Sequence, residues 1–334
     1  IGGGVNAADA GDDVPAVVDN VETIANIPAI IAHGAYAFRR VGTEDTPGTL
    51  VCTITGDTLR HGVAEVPAGT TLRAVVDEVG GGLDEGRSIV GLLCGVSGPI
   101  IPADLLDTPL SHEAMAQAGV SLGSCGFVVL DDTRDPVAVA HGVARFLAVE
   151  SCGQCEPCKR DGLAVSDLLG DLQTGAASPG TLGRVRDRLS TVADGARCNL
   201  ARQTESVVSS LLARFPDDFA MRDSGRANPA DDYLVAPIVD IVGDRAVLDD
   251  TQRTRQPDWT HDPVDSGAWP AQRLADTPVD VRVGPGQPSD AVGEGVGAGV
   301  GQAGDDPDAA PTTNPFERVG RAHAAVRHRL AEET

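Results

Sequence analysis

Lysine is nearly absent from this sequence. Lys159 is the one Lys in 334 residues, so 25 of the 26 basic residues are Arg. Aromatic residues are scarce too, at 3%, and any core has to be built from Val, Leu, Ile and Ala. Basic charge is outnumbered, 26 against 49 acidic residues, for a formal net charge of -23. A field of that sign repels phosphate backbones and anionic lipid, which excludes nucleic acid and membrane surfaces as general partners. No apolar run is long enough to span a bilayer; the best, Ile89 to Ile101, is short and broken by glycines. No basic start with an apolar middle marks a signal peptide. The first residue is Ile1, not Met, as expected of a fragment, a processed chain or an unusual start. Seven Cys, an odd number in a chain of ordinary size, argue against a secreted disulfide framework and for a reducing cytoplasm.

What is present bounds the answer further. The length allows two domains, three at most, and 41% hydrophobic residues are too many for a wholly disordered chain. Acidic charge spread along a chain almost without Lys suits a salt-adapted protein, because concentrated salt screens the self-repulsion to within a few ångströms. An ordinary acidic protein with an acidic tail is the plainer alternative.

Residues 1 to 19 are rich in Gly, Ala and Asp and read as a loop. Asn20 is placed to cap a helix through Val21, Ile24, Ile27 and Ile31, with Pro28 as its kink or stop. Leu50 to Thr55 and Val63 to Val66 read as strands that can pair as a hairpin. Thr70 or Thr71 can cap a helix carrying Leu72, Val75, Val76 and Val79 on one face, ended by Gly80-Gly81-Gly82. Ser88 to Cys94 and Phe127 to Leu130 supply further strands, so residues 46–133 suggest a small α+β domain of the β-grasp kind. From Asp135-Pro136 the apolar period becomes helical. Four stripes follow, on Val139 to Leu147, Val165 to Leu172, Leu182 to Val192 and Thr204 to Phe215, and predict a four-helix bundle over 135–222. Residues 230–283 read as an extension with a hairpin around Gly243-Asp244, 284–313 as a disordered linker, and 314–332 as a short helix.

The chemistry is concentrated in Cys152-Gly-Gln-Cys155-Glu-Pro-Cys158, followed after 39 intervening residues by Cys198. Three thiolates around one tight loop and a fourth from elsewhere suit a 4Fe–4S cubane, three of whose irons are reachable from one loop. Structural zinc more often takes two separated pairs, and a redox C-x-x-C needs neither a third nor a remote fourth Cys; zinc and free thiols are the competing readings. The loop follows the first bundle helix and Cys198 precedes the fourth, so a cluster there would pin helix ends together. Lys159 and Arg160 follow the third Cys. Positive charge there favours a reduced cluster; the plainer expectation is a solvated helix start. Cys52, Cys94 and Cys125 read as small buried hydrophobes, and the seven His form no metal spacing.

ESCGQCEPCKRDG (residues 150–162) resembles the ESCGxCxPCRxG motif of the NADH-binding flavoprotein, the F-type subunit of complex I, whose relatives occur in NAD-linked hydrogenases and formate dehydrogenases. DNVETIANIP (19–28) is similar to the family's NNVET segment, GTEDTPGT (42–49) to its GTxxSPGT, and AGVSLGSCGFVVLDD (118–132) to a third segment, in the right order from about residue 14 to 220. The resemblance implies that Cys152, Cys155, Cys158 and Cys198 hold a 4Fe–4S cluster, and that Asn20 lies at the flavin. It makes 1–45 a remnant of a flavin-domain edge and 46–133 a β-grasp domain of the soluble-ligand-binding (SLBB) type. Nothing here is similar to the family's Gly-rich FMN and NADH site, so those cofactors are expected from another domain or subunit.

The function implied is the electron-relay portion of an NADH dehydrogenase-like oxidoreductase, not self-sufficient as this chain. It would pass single electrons from FMN and NADH to a downstream iron–sulfur subunit or quinone reductase, in the cytoplasm or peripheral to the inner face of the membrane. The same relay in a hydrogenase or formate dehydrogenase is one alternative. A non-redox scaffold with a structural metal is the other.

Overall fold

The computed structural model describes residues 19–226 and 228–256. Most of the leading loop, the later part of the 230–283 extension, the 284–313 linker and the 314–332 helix therefore lie outside the described residues. The first helix, α1 (Val21–His33), begins where Asn20 predicts, the Asn20 side-chain carbonyl accepting from the Glu22 and Thr23 amides at 2.8 and 3.4 Å. Pro28 lies inside the helix and does not stop it; Gly34, at φ 83°, does. A single turn, α2 (Ala35–Phe38), follows. No residue of α1 is buried, and Glu22 ties it to the next element by accepting from the Val51 amide at 2.9 Å.

The α+β class holds. Strands β1 (Thr49–Gly56) and β2 (Gly62–Pro67) form the expected antiparallel hairpin, and α3 (Leu72–Glu78) starts at Thr71, whose hydroxyl accepts from the Ala74 amide. The chain continues through β3 (Ile89–Cys94), β4 (Ile101–Pro102), α4 (His112–Gln117) and β5 (Gly126–Asp131). The sheet order is β2-β1-β5-β3-β4, with β1 and β5 parallel and the other pairs antiparallel, which is the β-grasp arrangement. The sequence reading lacked β4 and α4, because two residues and six are too short to show a period.

Alternation along the central strands divides the core in two. Leu92, Phe127 and Val129 pack with Ile54, Leu72, Val75 and Val76 under α3. Leu93 and Leu130 face the other way and join the helical core. That second core is built by α5 (Pro136–Glu150), α6 (Glu156–Thr174), α7 (Thr181–Leu189) and α8 (Leu200–Arg214). Asp135 caps α5, accepting from the Val137 and Ala138 amides at 2.9 and 3.0 Å, with Pro136 in the first turn.

A fifth helix, α9 (Pro216–Asp223), corrects the four-helix expectation. Pro216 cannot donate the amide that would continue α8, so the chain turns and restarts there. Phe219 then fills the core with no exposed surface, and Arg222 pairs with Asp135. The following segment crosses α5 so closely that a Cβ on Gly142 would collide with the Tyr233 carbonyl oxygen. The late hairpin is β6 (Ile238–Val242) and β7 (Arg245–Leu248), turning at Gly243 and starting later than its first apolar residue suggests.

Candidate metal centre

The three-cysteine loop is shaped by the two helix ends it joins. α5 stops at Glu150, and the Ser151 amide closes its last turn on the Leu147 carbonyl at 3.0 Å. Gly153 then takes φ +75°, which a residue without Cβ adopts cheaply. Cys155 stands at the N-cap of α6, and Pro157, in its first turn, needs no amide partner. These constraints leave Cys152 and Cys155 half-buried and Cys158 buried, while Cys198, in the turn before α8, is exposed.

The four thiols share one neighbourhood. Burial pushes the Cys158 thiol up, its hydrogen bond with Ser151 opposes that, and the nearby thiols of Cys155, Cys198 and Cys152 push it up further. The Ser151 Oγ lies 3.4 Å from the Cys158 Sγ and accepts from the Gly153 amide at 3.4 Å. Once Cys158 is a thiolate it can only accept, so the Ser151 hydroxyl is its donor.

Lys159 overturns the expectation of a solvated helix start: its side chain is fully buried. Its Nζ donates to the Ala148 carbonyl at 3.1 Å and the Ser151 carbonyl at 2.9 Å. Both lie at the C-terminal end of α5, where carbonyls run out of helical partners. Arg160 does face outward, bridging to Glu156 at 3.0 Å.

Side chains beyond the motif brace it. Asp161 accepts from Arg188 at 3.0 Å and from the Thr191 hydroxyl at 2.7 Å, fastening the start of α6 to the end of α7 and the turns that lead to Cys198. Glu150 is held by Arg255 at 2.8 Å and Gln252 at 3.1 Å, from the far end of the described chain. Ser151, Asp161 and Glu150 do not stand out in the sequence as supports. Ser151 and Glu150 stood inside the motif, and Asp161 is one turn beyond Cys158, so spacing offered a signal.

The donor set suits a cluster. Among the described residues no three His, Cys, Asp or Glu side chains are gathered as a site for a single ion. A lone zinc needs thiolates converging at bonds of about 2.3 Å, whereas a cubane holds its four thiolates farther apart around a larger body. Four thiols in one neighbourhood, three of them from one loop and one from elsewhere, fit the second.

The remaining candidates fall elsewhere. Cys52, Cys94 and Cys125 lie in the β-grasp core at 0%, 2% and 5% exposure, as small buried hydrophobes. Cys125 takes φ 56°, in the left-handed region that favours glycine. His61 bonds the Gly56 carbonyl and the Ala246 amide, joining the late hairpin to the sheet. Asn20 is exposed and spends its carbonyl on the α1 cap.

A β-grasp sheet is joined to a helical domain that brings four thiols into one neighbourhood, a make-up that suits an iron–sulfur protein. Residues 138–222 match the family described as the NADH-ubiquinone oxidoreductase-F iron-sulfur binding region. The chain is 32% identical over 217 residues to HndC of the NADP-reducing hydrogenase of Solidesulfovibrio fructosivorans, covering 65% of this chain and 44% of that protein. It is 32% identical over 229 residues to the F-type subunit of NADH-quinone oxidoreductase of Mycobacterium tuberculosis, covering 68% of this chain and 52% of that one. A solved NAD+-reducing [NiFe]-hydrogenase in its H2-reduced state superposes with a TM-score of 0.55 at 31% identity, over 62% of this chain and 35% of that one. The chain thus spans about half the length of the curated relatives it matches. Residues 138–222 thus carry the iron–sulfur-binding region of that family, and about two thirds of the chain is similar to F-type subunits.

Proposed function

We propose that Cys152, Cys155, Cys158 and Cys198 hold one 4Fe–4S cluster and that the chain relays single electrons within an NADH-oxidising complex. The observation that carries this is the shared neighbourhood of the four thiols around Cys158, inside residues 138–222. Bound there, the cluster supplies one-electron acceptance and donation. The chain's own residues do the rest: the thiolates fix position, the α5–α6 turn shields Cys158, and Asp161 holds the Cys198 side in place.

Electrons enter from NADH by way of FMN, held by a domain or subunit outside the described residues, with Asn20 on the side facing the flavin. They leave to another iron–sulfur subunit. The hydrogenase relatives support the same relay in a hydrogenase as the second reading. The β-grasp domain, of the SLBB type, is structural. Among the described residues no helix is long and apolar enough to cross a membrane; the chain's place is the cytoplasm or the periphery of the membrane's inner face. The charge of -23 with a single Lys supports a salt-adapted source.

The test is composition. Anaerobically purified or reconstituted chain is expected to hold about four iron and four acid-labile sulfide, with a brown colour bleached by dithionite. Zinc without sulfide overturns the proposal.

A further inference from the structure

The one Lys of the chain is fully buried beside a ligand cysteine, and that placement needs a reason. A buried ammonium is costly unless it is well partnered. Lys159 Nζ takes partners from the Ala148 and Ser151 carbonyls, at the negative end of α5, where a cation is favoured. Ser151 is therefore held from two sides. Its carbonyl is gripped by Lys159, and its Oγ accepts from the Gly153 amide, which leaves the hydroxyl proton for the Cys158 sulfur at 3.4 Å. Ser151 at 4% exposure, Cys158 at 8% and Lys159 at 0% share a site where water screens little.

Resting on the cluster reading above, we propose that Lys159 and Ser151 set the reduction potential of that cluster. Reduction adds one electron and one negative charge, and no bond is made or broken. Two features of this chain stabilise the more negative state. One is the buried ammonium charge held on the carbonyl of Ser151, the residue that touches the ligand sulfur. The other is the Ser151 hydroxyl donating to that sulfur, because hydrogen bonds to ligand sulfur and local charge both move cluster potentials. Lys159 is a positioning residue for Ser151 as well as a charge; Ser151 touches the ligand directly. Both effects raise the potential and favour accepting an electron. Lys159→Arg keeps the charge and changes the side chain that carries it, so it separates charge from Lys itself.

The experiment uses the full chain, reconstituted with iron and sulfide under anaerobic conditions. Wild type is compared with Lys159→Met, Lys159→Arg and Ser151→Ala. Iron and sulfide are counted first. The reduced-to-oxidised ratio is then read by electron paramagnetic resonance at fixed ambient potentials. Lys159→Met is expected to lower that ratio about tenfold at the wild-type midpoint, equal to about 59 mV for a one-electron couple. Ser151→Ala is expected to lower it at least threefold, and Lys159→Arg to stay within twofold. Loaded Lys159→Met and Ser151→Ala proteins that titrate with wild type overturn the proposal. If Lys159→Met does not load, Ser151→Ala decides, because it removes only a hydroxyl: an unmoved ratio overturns the proposal and a lowered one supports it. A wild-type chain that takes up no iron and sulfide overturns this proposal and the cluster reading together; a loaded wild type with unmoved variants overturns this one alone.

Discussion

Asp161 accepts a hydrogen bond from Arg188 at 3.0 Å across the two helices that separate the three-cysteine loop from Cys198. The same carboxylate takes the Thr191 hydroxyl at 2.7 Å. The fourth thiol sits on an exposed turn, and this one buried acid fixes where the turn begins. Asp161→Ala removes a charged hydrogen-bond hub, and such losses cost about 2 kcal/mol. The variant is expected to unfold at lower denaturant and to lose bound iron to a chelator faster than wild type. Iron release at the wild-type rate would show that the clamp is dispensable.

Cys198 itself is a separable element. Cys198→Ser leaves the buried cores untouched, because the residue is exposed. Circular dichroism should match wild type, while iron and sulfide content fall to about half or less, one ligand in four being lost. Equal iron content in the variant would remove Cys198 from the ligand set.

The seven thiols should separate into classes by alkylation of the metal-free chain. Cys198 is expected to react first, then Cys152 and Cys155, which are half-buried. Cys158, Cys52, Cys94 and Cys125 should resist until denaturant is added, since burial raises the Cys158 thiol, pushes the Cys94 thiol up to about 11 and removes access to all four. Mass spectrometry of labelled peptides reads this directly, and early labelling of Cys94 would contradict the described core.

Glu113 gives a pH signature. The Thr43 and Thr46 hydroxyls donate to its two carboxylate oxygens at 2.5 and 2.6 Å, holding its carboxyl down to about 2. A folded value below the unfolded one, about 4.3, means the contribution is present above that pH and disappears as pH falls toward 2. Glu113→Gln should therefore lower the denaturation midpoint near neutral pH, and the difference from wild type should close in acid. A gap that stays constant across that window would deny the carboxylate its role in tying the loop before β1 to α4.

Charge should make folding depend on salt. At -23, the chain repels itself at low ionic strength. Raising potassium chloride from near zero into the molar range is expected to raise the melting temperature by roughly 4–8 °C, the equivalent of about 2 kcal/mol for a domain of this size. An unchanged or falling melting temperature would remove the salt-adapted reading.

The sequence alone determined whatever rests on local rules. Caps at Asn20, Thr71 and Asp135 were readable, because a side-chain oxygen that satisfies orphan amides works within three residues. So were the four long apolar stripes, and the cysteine spacing, because a cluster needs its ligands close in the chain. Pro28 was readable as a kink or a stop, and it does not stop its helix, which tolerates the lost amide. Short elements escaped, β4, α4 and α9 among them, because so few residues hold too little of a period to detect. Lys159 was decided only in three dimensions. Next to three cysteines and an Arg it read as surface, and no rule of helix periodicity buries an ammonium there. Its carbonyl partners come from the end of α5, brought over it when the loop folds back at Gly153. A charge can be buried only where acceptors from another element meet it, and that meeting is a property of tertiary packing.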